Sequence, residues 1–461
     1  MYNLVKKNIT EKKLISQGDN VLIGLSGGPD SVFLFHNLRL LKETLSFNLY
    51  ASHINHMYRG EDADNDEAFV RTLCSNYGIK LFVLRKNAVL YAREIKATEE
   101  EAGRKLRYDF FAENLREIGG GKIAVAHNLN DQAETVIQRI IRGTGIDGLS
   151  AMTYIKNNII RPILNIERSE IEAYLNKNNY EFCTDKTNSR DIYGRNKIRL
   201  NLIPYLQDNF NPNIQNTLFR MSEAMYGDSK IIEKYIKDLF NENIIKKNEN
   251  EVFLDLYKLK KLEDYELGRI VKRALELLKG STINIEMKHI NYADEFIKSG
   301  RTGQTINFSD GFEAEISYGV LIIRKFMGKF PAFKYNFIEN KSLFIKETGQ
   351  TICCRVLNAS DINIKDRKSI NLDYDIIKGS LTVRNRKNGD SMIPCGMTGN
   401  KKIKDIFIDR KVPAYERDRR LIITDEANIL WVEGFTIHNN YKISASTKRI
   451  LNITITEGQN V

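Results

Sequence analysis

The stretch VLIGLSGGPDSVFLF, residues 21–35, decides the expected fold of the first part of the chain. The run VLIGL has the length and apolar composition of a buried strand, and a helical pattern begins at Ser31. SGGPDS, residues 26–31, stands between them. This arrangement predicts a strand, a glycine turn and a helix in direct succession.

The same alternation continues to about residue 205. Three further apolar runs, LYASHI (49–54), KLFVL (80–84) and KIAVAH (122–127), are separated by longer helical patterns. Strands that alternate with helices in this way are typical of βαβ units. We therefore predict an α/β fold whose parallel sheet is covered on both faces.

Beyond this region the periodicity changes twice. Residues 213–300 show an almost purely helical pattern, and after Gly300 short alternating runs predict β-structure. We expect an α/β domain at 1–208, a mainly helical domain at 213–325, a linker or β-rich segment at 326–379 and a small, basic α+β domain at 380–461.

Composition narrows the class of protein. The chain has 461 residues and a net charge of +11, which suggests several domains and favours a polyanionic partner, although a basic protein from a lysine-rich proteome would look similar. Its five cysteines are odd in number and none has CxxC spacing, which argues against a disulfide framework and against a zinc or iron–sulfur site. Because no apolar run reaches the length of a membrane span and the first fifteen residues lack a signal-peptide core, we expect a cytoplasmic protein.

The SGGPDS loop carries the strongest chemical signal. Glycines let the backbone approach an anion, and a helix N-terminus offers unpaired N–H groups. The loop lacks the lysine of a Walker A motif, which suits the pyrophosphate end of ATP and chemistry at the α-phosphate. Asp30 beside such a site is a candidate ligand for Mg²⁺. A tight strand–helix turn with a serine cap is the structural alternative. The candidate ATP-binding residues here are Ser26, Gly27, Gly28, Pro29, Asp30 and Ser31.

Two further groups of polar residues follow predicted strands. HINHMYR (53–59) contains His53 and Arg59, which could contact a nucleotide at the carboxyl end of the second strand, or form an ordinary polar loop. AHNLNDQAET (126–135) places Asp131 and Glu134 on one face of a helix start, where two carboxylates could hold an ammonium group. The same spacing is close to a capping box, and the two roles can coexist.

A glycine-rich turn, RGTG (142–145), follows the same helix. It could close over a nucleotide, so Arg142 and Gly143 are further candidates for ATP binding. Arginines later in the chain could bind phosphate or carboxylate groups bidentately, or be ordinary surface charge.

The SGGxDS string resembles the PP-loop ATPases, and the joint pattern is more specific. SGGPDS, HINHMYR, EEAGRKLRY (100–108), AHNLNDQAET, RGTGIDGL (142–149) and TDKTNSRDIYGRNKIR (184–199), in this order, are similar to the tRNA(Ile)-lysidine synthetase family. The match resumes at 299–319 and 384–413. One departure is Asn130, where many relatives are expected to carry an acidic residue.

The resemblance implies that residues 1–208 form an ATP-binding, catalytic PP-loop domain of the adenine nucleotide α-hydrolase type. It further implies that the helical middle domain at 213–325 contacts tRNA and that the basic domain at 380–461 binds tRNA. It also implies a two-step reaction with ATP, Mg²⁺, free L-lysine and the CAU-anticodon isoleucine tRNA. The wobble cytidine is adenylated at its C2 oxygen with release of pyrophosphate, and the lysine ε-amine then displaces AMP. No membrane partner is expected, and a homodimer is left open.

The resemblance also suggests residue roles. Asp30, Asp131 and Glu134 are assigned to catalysis, with Asp30 as the metal ligand. Lysine binding is assigned to Asp131, Glu134 and Arg199, and tRNA contacts to Arg107 and Arg195.

The C-terminal segment is the most basic part of the chain. Residues 380–461 hold fourteen Lys and Arg against nine Asp and Glu. We expect a tRNA-binding face there, with Phe407 available for base stacking, although a solvated charged face is the simpler alternative. Its basic residues are Lys401, Lys402, Lys404, Arg410 and Lys411.

Three other functions compete. A tRNA thiolase would need catalytic or cluster-binding cysteines, typically in CxxC spacing, whereas Cys353 and Cys354 are adjacent and far from the loop. An amide ligase that uses glutamine would need an N-terminal cysteine nucleophile or a glutaminase domain, and neither is visible. A non-catalytic RNA-binding protein on a degenerate ATPase fold is disfavoured by the intact SGGPDS loop.

Overall fold

The computed structural model describes residues 1–57, 60–184, 194–280, 287–326, 328–361 and 369–458. The chain divides into two compact units, Met1–Glu233 and Lys234–Val461. Each unit is built around its own apolar clusters.

The first unit alternates helices and strands. In chain order its elements are α1 Tyr2–Glu11, β1 Asn20–Gly24, α2 Pro29–Leu45, β2 Asn48–Asn55, α3 Glu61–Asn76, β3 Leu81–Arg85, α4 Ala88–Ile95, α5 Glu99–Glu117, β4 Lys122–Ala124, α6 Leu129–Arg142, α7 Ile146–Leu149, β5 Ile155–Lys156, β6 Ile159–Ile160, α8 Arg168–Lys177, α9 Gly194–Lys197, a π-helical turn Ile198–Leu202 and α10 Ile203–Asn209. A long helix, α11 Ile214–Asn243, contains the boundary between the units.

The predicted parallel sheet is confirmed. Its six strands have the order β3-β2-β1-β4-β6-β5, and every pair is parallel except β5 with β6. In the central pair Val21 lies opposite Leu49 and Gly24 opposite Ser52. The carboxyl ends of β2, β1 and β4 therefore lie side by side at one edge of the sheet.

Apolar burial explains why the predicted strands and helices form. The strand residues Val21, Leu22 and Ile23 are fully buried, and α2 buries ten residues, including Phe33 and Phe35. A helix that is apolar on most of its circumference belongs in the interior of a domain. α2 is thus held rigidly against the sheet, and its N-terminus is held at the end of β1.

The second unit is mixed. Its elements are β7 Ile244–Lys247, β8 Glu251–Asp255, α12 Leu256–Leu259, α13 Asp264–Lys279, α14 Met287–Ser299, β9 Thr305–Asn307, β10 Phe312–Ser317, β11 Val320–Lys325, β12 Lys334–Phe337, β13 Ser342–Ile345, β14 Gln350–Asn358, β15 Ser369–Asp373, β16 Leu381–Arg384, β17 Ser391–Met392, β18 Lys401–Lys402, α15 Ile403–Asp409, α16 Ala414–Arg417, β19 Ile422–Thr424, β20 Ile429–Val432, β21 Thr436–Ile437 and β22 Arg449–Glu457.

Two features of this unit differ from the sequence prediction. Residues 244–255, predicted as part of a helical region, form the hairpin β7–β8, because β8 pairs with the distant strand β11 and buries Val252, Phe253 and Leu254. Residues 326–379, predicted as a linker or β-rich segment, contain strands of two different sheets. β12 pairs with β16 in one sheet, whereas β14 and β15 pair with β22 in the other. The predicted boundary at residue 380 therefore runs through two sheets.

Among the described residues, no helix combines the length and the apolar character that crossing a membrane requires.

The turn before β4 offers a test of the sheet. Gly121 has φ +131°, and a Cβ there would overlap the backbone oxygen of Asn20 at the start of β1. Gly121→Ala should destabilise the first unit by about 3 kcal/mol, because the chain must shift where β4 pairs with β1. Gly120→Ala is the matched control: its φ is +90° but its Cβ would meet no atom within 4 Å. Thermal and urea unfolding of the full chain measure both, and equal stabilities would contradict the prediction.

Candidate active site

The SGGPDS loop connects β1 to α2 and is organised by its own hydroxyl groups. Ser31 Oγ donates to the Gly28 carbonyl at 2.9 Å, and Ser26 Oγ lies 3.1 Å from Ser31 Oγ. Gly27 has φ +93°, which favours glycine, whereas Gly28 caps α2 at φ −72° without a side-chain hydrogen bond. The N-terminal N–H groups of α2 therefore point out of a cradle that has no side chain at its centre.

A cavity of about 420 Å³ opens on this loop, and we call it the loop cavity. It is lined by the ends of β1, β2 and β4 together with parts of α5 and α8. Of the predicted site residues it collects Ser26, Gly28, Pro29, Asp30, Ser31, His53 and Arg107. Gly27 lies in the loop itself, where a Cβ would be 3.3 Å from the Cys183 sulfur.

His53 presents an unused acceptor in this cavity. Its Nδ1 lies 2.8 Å from the Leu25 carbonyl oxygen, which can only accept, so Nδ1 carries the proton. Burial lowers the pKa of the His53 ring, which is 3% exposed, and the ring is therefore neutral. Nε2 is left as a buried acceptor without a partner among the described residues. A ligand with an N–H or O–H donor would satisfy it.

A second cavity of about 620 Å³ adjoins the first, and we call it the carboxylate cavity. Pro29, Asp30 and Arg168 line both cavities, so Asp30 stands where the two meet. The Asp30 carboxylate accepts from the Asn128 amide at 2.9 Å and lies 3.8 Å from an Arg168 nitrogen. Burial raises the pKa of Asp30 in spite of these two partners.

Asp131 and Glu134 lie on the wall of the carboxylate cavity, bound to two arginines. Arg195 contacts Glu134 at 2.7 Å and Asp131 at 2.8 Å. Arg199 contacts the same carboxylates at 2.5 and 3.4 Å. Glu134 is 1% exposed, so its charge needs these cations. Two anions and two cations form a neutral group, which we call the charge quartet.

Asp131 also helps to cap its helix, but its partner is Asn128 and not Glu134, whose spacing from Asp131 had suggested the capping box. It forms a capping box with Asn128, in which each side chain binds the other residue's backbone N–H. Capping and membership of the charge quartet therefore coexist in one residue.

Arg142 and Gly143 lie elsewhere. They lie at the C-terminal end of α6, and this end is about 20 Å along the helix axis from the end that faces the cavities. Gly143 adopts φ +75° as the C-cap of that helix, and both residues are exposed. The geometry gives them a helix-ending role and does not bring them to the nucleotide loop. Arg59 and residues 185–193 of the predicted motifs lie outside the described residues.

The predicted basic face of the C-terminal segment is partly corrected. Lys402, Lys404 and Arg410 are exposed, and Lys401 pairs with Asp409. Phe407 is fully buried and packs against Phe435 at 5.4 Å between ring centroids, so its predicted role in base stacking is wrong. Its spacing from Ile403 and Ile406 is the signal of a buried helix face.

Some residues at the cavities received no role from the sequence. Asn128 and Arg168 position Asp30, and Arg161 holds His127 at the end of β4. Arg168 is brought near Asp30 only by the packing of α8 against α2, so no local pattern identifies it.

Comparison with known proteins adds independent findings. Residues 1–206 match the model of the PP-loop domain, and residues 381–453 match that of the TilS substrate C-terminal domain. A tRNA(Ile)-lysidine synthase of Clostridioides difficile strain 630 is 38% identical over 98% of this chain and 99% of its own length. Another of Clostridium perfringens strain 13 is 39% identical over 98% of both chains.

The loop cradle can be tested by filling it. At Gly28 an added Cβ meets only the Ser26 hydroxyl, at 3.7 Å, so Gly28→Val should fold normally while its side chain occupies the cradle. We expect equilibrium ATP binding to weaken at least ~10-fold, because the helix N–H groups can no longer approach the phosphates. Gly145→Val, at a negative φ with open space around its Cβ, is the control. Unchanged ATP affinity in folded Gly28→Val would exclude the cradle as the phosphate site.

Proposed function

The chain belongs to the tRNA(Ile)-lysidine synthase family, and we propose that it joins the ε-amine of L-lysine to C2 of the wobble cytidine in the CAU-anticodon isoleucine tRNA. As a member of that family it is an ATP-using ligase that modifies tRNA. The observation that supports the proposal best is the pair of adjoining cavities, one on the PP-loop and one on the charge quartet, with Asp30 between them.

In the first step the cytidine C2 oxygen attacks the α-phosphorus of ATP and pyrophosphate leaves. The SGGPDS loop would hold the phosphates through the N–H groups of α2 and the hydroxyls of Ser26 and Ser31. The His53 acceptor suits a donor of the adenosine part, since the phosphates have none at neutral pH. Arg107, predicted to contact tRNA, lines the same cavity and would add positive charge. Adenylation converts a poor leaving oxygen into AMP.

Mg²⁺ is proposed at Asp30. This ion commonly takes one or two carboxylates together with phosphate oxygens and water, so a single carboxylate beside the loop fits it. Among the described residues there is no group of three or more His, Cys, Asp or Glu side chains that could bind a metal by themselves. When bound, Mg²⁺ would neutralise charge that develops on the phosphates.

In the second step lysine attacks C2 and the C2–O bond breaks, which releases AMP. The amine must lose a proton first, and at pH 7 this costs about 4.6 kcal/mol for an ordinary lysine pKa of about 10.4. We assign the ammonium group to Asp131 and Glu134. Arg199 would turn to the lysine carboxylate, so that a cation leaves the charge quartet when another enters.

The C-terminal half of the second unit is proposed to bind tRNA. Lys402, Lys404 and Arg410 are exposed and close in sequence, which suits contacts with phosphates. For the region 213–325 we propose tRNA contacts as well. We place the enzyme in the cytoplasm, and a homodimer stays a prediction.

The competing functions lack support of this kind. The thiolase would use paired cysteines, whereas Cys353 and Cys354 lie in β14 of the second unit and Cys354 is 1% exposed. The match to the TilS substrate C-terminal domain favours the lysine-transferring enzyme over a generic RNA-binding protein.

The decisive assay is incubation with ATP, radiolabelled L-lysine and total tRNA. Label should enter a single tRNA species, because the proposed substrate is one isoleucine tRNA. Asp30→Ala should abolish incorporation, since that carboxylate stands where both cavities meet. Asp109→Ala, which removes an exposed carboxylate from α5, should retain it. Absence of lysine from tRNA, with sulfur incorporated in its place, would support the thiolase.

A salt titration tests the basic face. Replacing Lys402 and Lys404 with Ala should weaken tRNA binding and reduce the slope of log affinity against log salt by about 1.4–1.8, since each phosphate contact contributes roughly 0.7–0.9. Lys442→Ala with Lys448→Ala removes two exposed charges elsewhere in the same segment and is the matched control. Filter binding at four salt concentrations measures the slopes. If both double variants have the same slope, this face has no special role.

A further inference from the structure

His127 follows β4 by three residues and lines the loop cavity. It follows the strand on the opposite side of β1 from His53. The two histidines therefore flank the SGGPDS loop at the same edge of the sheet.

The proton of His127 is located by its partner. Arg161 Nε lies 3.2 Å from His127 Nδ1, and a guanidinium can only donate. Nδ1 must therefore be the acceptor, and in a neutral ring Nε2 carries the proton. His53 has the opposite arrangement, with its proton on Nδ1. The loop cavity thus has a fixed acceptor on one side and a fixed donor on the other.

Arg161 is itself rigidly held. It is 4% exposed, and its Nη1 donates to the Thr153 carbonyl at 2.9 Å. Because its Nε has a fixed direction, it acts as a positioning residue that sets both the orientation and the tautomer of His127.

The surroundings of His127 are positive. Four arginines act on the ring: Arg104 and Arg107 from α5, Arg161 after β6, and Arg195 in α9. Burial and these charges lower the pKa of His127 to about 3, so the ring stays neutral and keeps its Nε2 proton at any physiological pH. Two carboxylates, Asp30 and Asp66, line the same cavity, and Arg168 lies beside Asp30.

We propose that His127 is a catalytic residue whose neutral Nε2–H donates a hydrogen bond to a non-bridging oxygen of the α-phosphate. The inference rests on the proposed function. A donor in positive surroundings suits an anionic oxygen, and an uncharged ring binds it without transferring a proton. The interaction strengthens as negative charge grows on the α-phosphate during attack, which is how a fixed donor accelerates such a step.

Sulfur substitution tests this contact at the level of atoms. Sulfur is a weak hydrogen-bond acceptor, so one diastereomer of adenosine 5′-O-(1-thiotriphosphate) removes the proposed contact in the wild type. His127→Phe should slow tRNA-dependent pyrophosphate release about 100-fold with ATP. In that variant the same diastereomer should cause little further loss, because the donor is already absent.

Two variants control for structure. His127→Gln places an amide N–H near the position of Nε2 and should recover part of the rate together with part of the sulfur effect. His36→Phe removes another buried, neutral histidine from the same unit and keeps the ring that stacks on Tyr180 at 3.6 Å. It should retain the full sulfur effect, and thermal unfolding verifies that each variant is folded.

The outcomes separate the inference from the function on which it rests. If the wild type releases no pyrophosphate with ATP and tRNA, the proposed function fails. If the wild type is active but the sulfur effect of each diastereomer is the same in folded His127→Phe, the two changes are independent and the contact with the α-phosphate does not exist.

Discussion

The site depends on the parallel pairing of β1 with β2 and β4. Parallel strands have their carboxyl ends at the same edge of the sheet, so the polar residues that follow each strand lie close together without long connecting loops. The pairing continues into the loop, where Leu25 N–H binds the Ser52 carbonyl at 2.9 Å and the Leu25 carbonyl accepts from His53. The backbone that shapes the glycine turn is therefore an extension of the sheet, and the buried face of α2 fixes its other end.

Some features of the fold can be predicted from the sequence and others cannot, and the difference depends on how far apart in sequence the interacting residues are. The strand, turn and helix around residues 21–35 arise from neighbouring residues, so their pattern is readable. The hairpin β7–β8 exists because Val252, Phe253 and Leu254 meet a strand some seventy residues later, and no local periodicity contains that information. Arg168 reaches Asp30 for the same non-local reason. Phe407 is a different case, because its spacing from Ile403 and Ile406 is a local pattern that indicates a buried helix face. The lysines beside it in sequence indicate only that the opposite face is exposed.

Two of the three histidines that line the loop cavity show how a fold can fix which ring nitrogen donates and which accepts a hydrogen bond. An imidazole can donate or accept at either nitrogen, and the choice is removed when one nitrogen meets a group that only accepts or only donates. A carbonyl fixes His53 and a guanidinium fixes His127. Since ATP has donors only on its adenosine part and acceptors concentrated on its phosphates, an acceptor at the end of β2 and a donor at the end of β4 favour one orientation of the nucleotide.

The charge quartet places a condition on the substrate of the proposed second step. Glu134 is buried and both its oxygens accept from arginine, so an ammonium group that takes over these contacts displaces a guanidinium. A displaced Arg199, about one-third exposed, needs a new anion, and an α-carboxylate carried by the same ligand would supply it. A simple diamine would bring the displacing cation but no anion for the freed guanidinium. An amino acid with an uncharged side chain would bring the carboxylate without an ammonium group at the far end of a side chain. In the proposed second step a basic amino acid carries both groups, and its α-ammonium group is the one charge that the quartet itself does not pair.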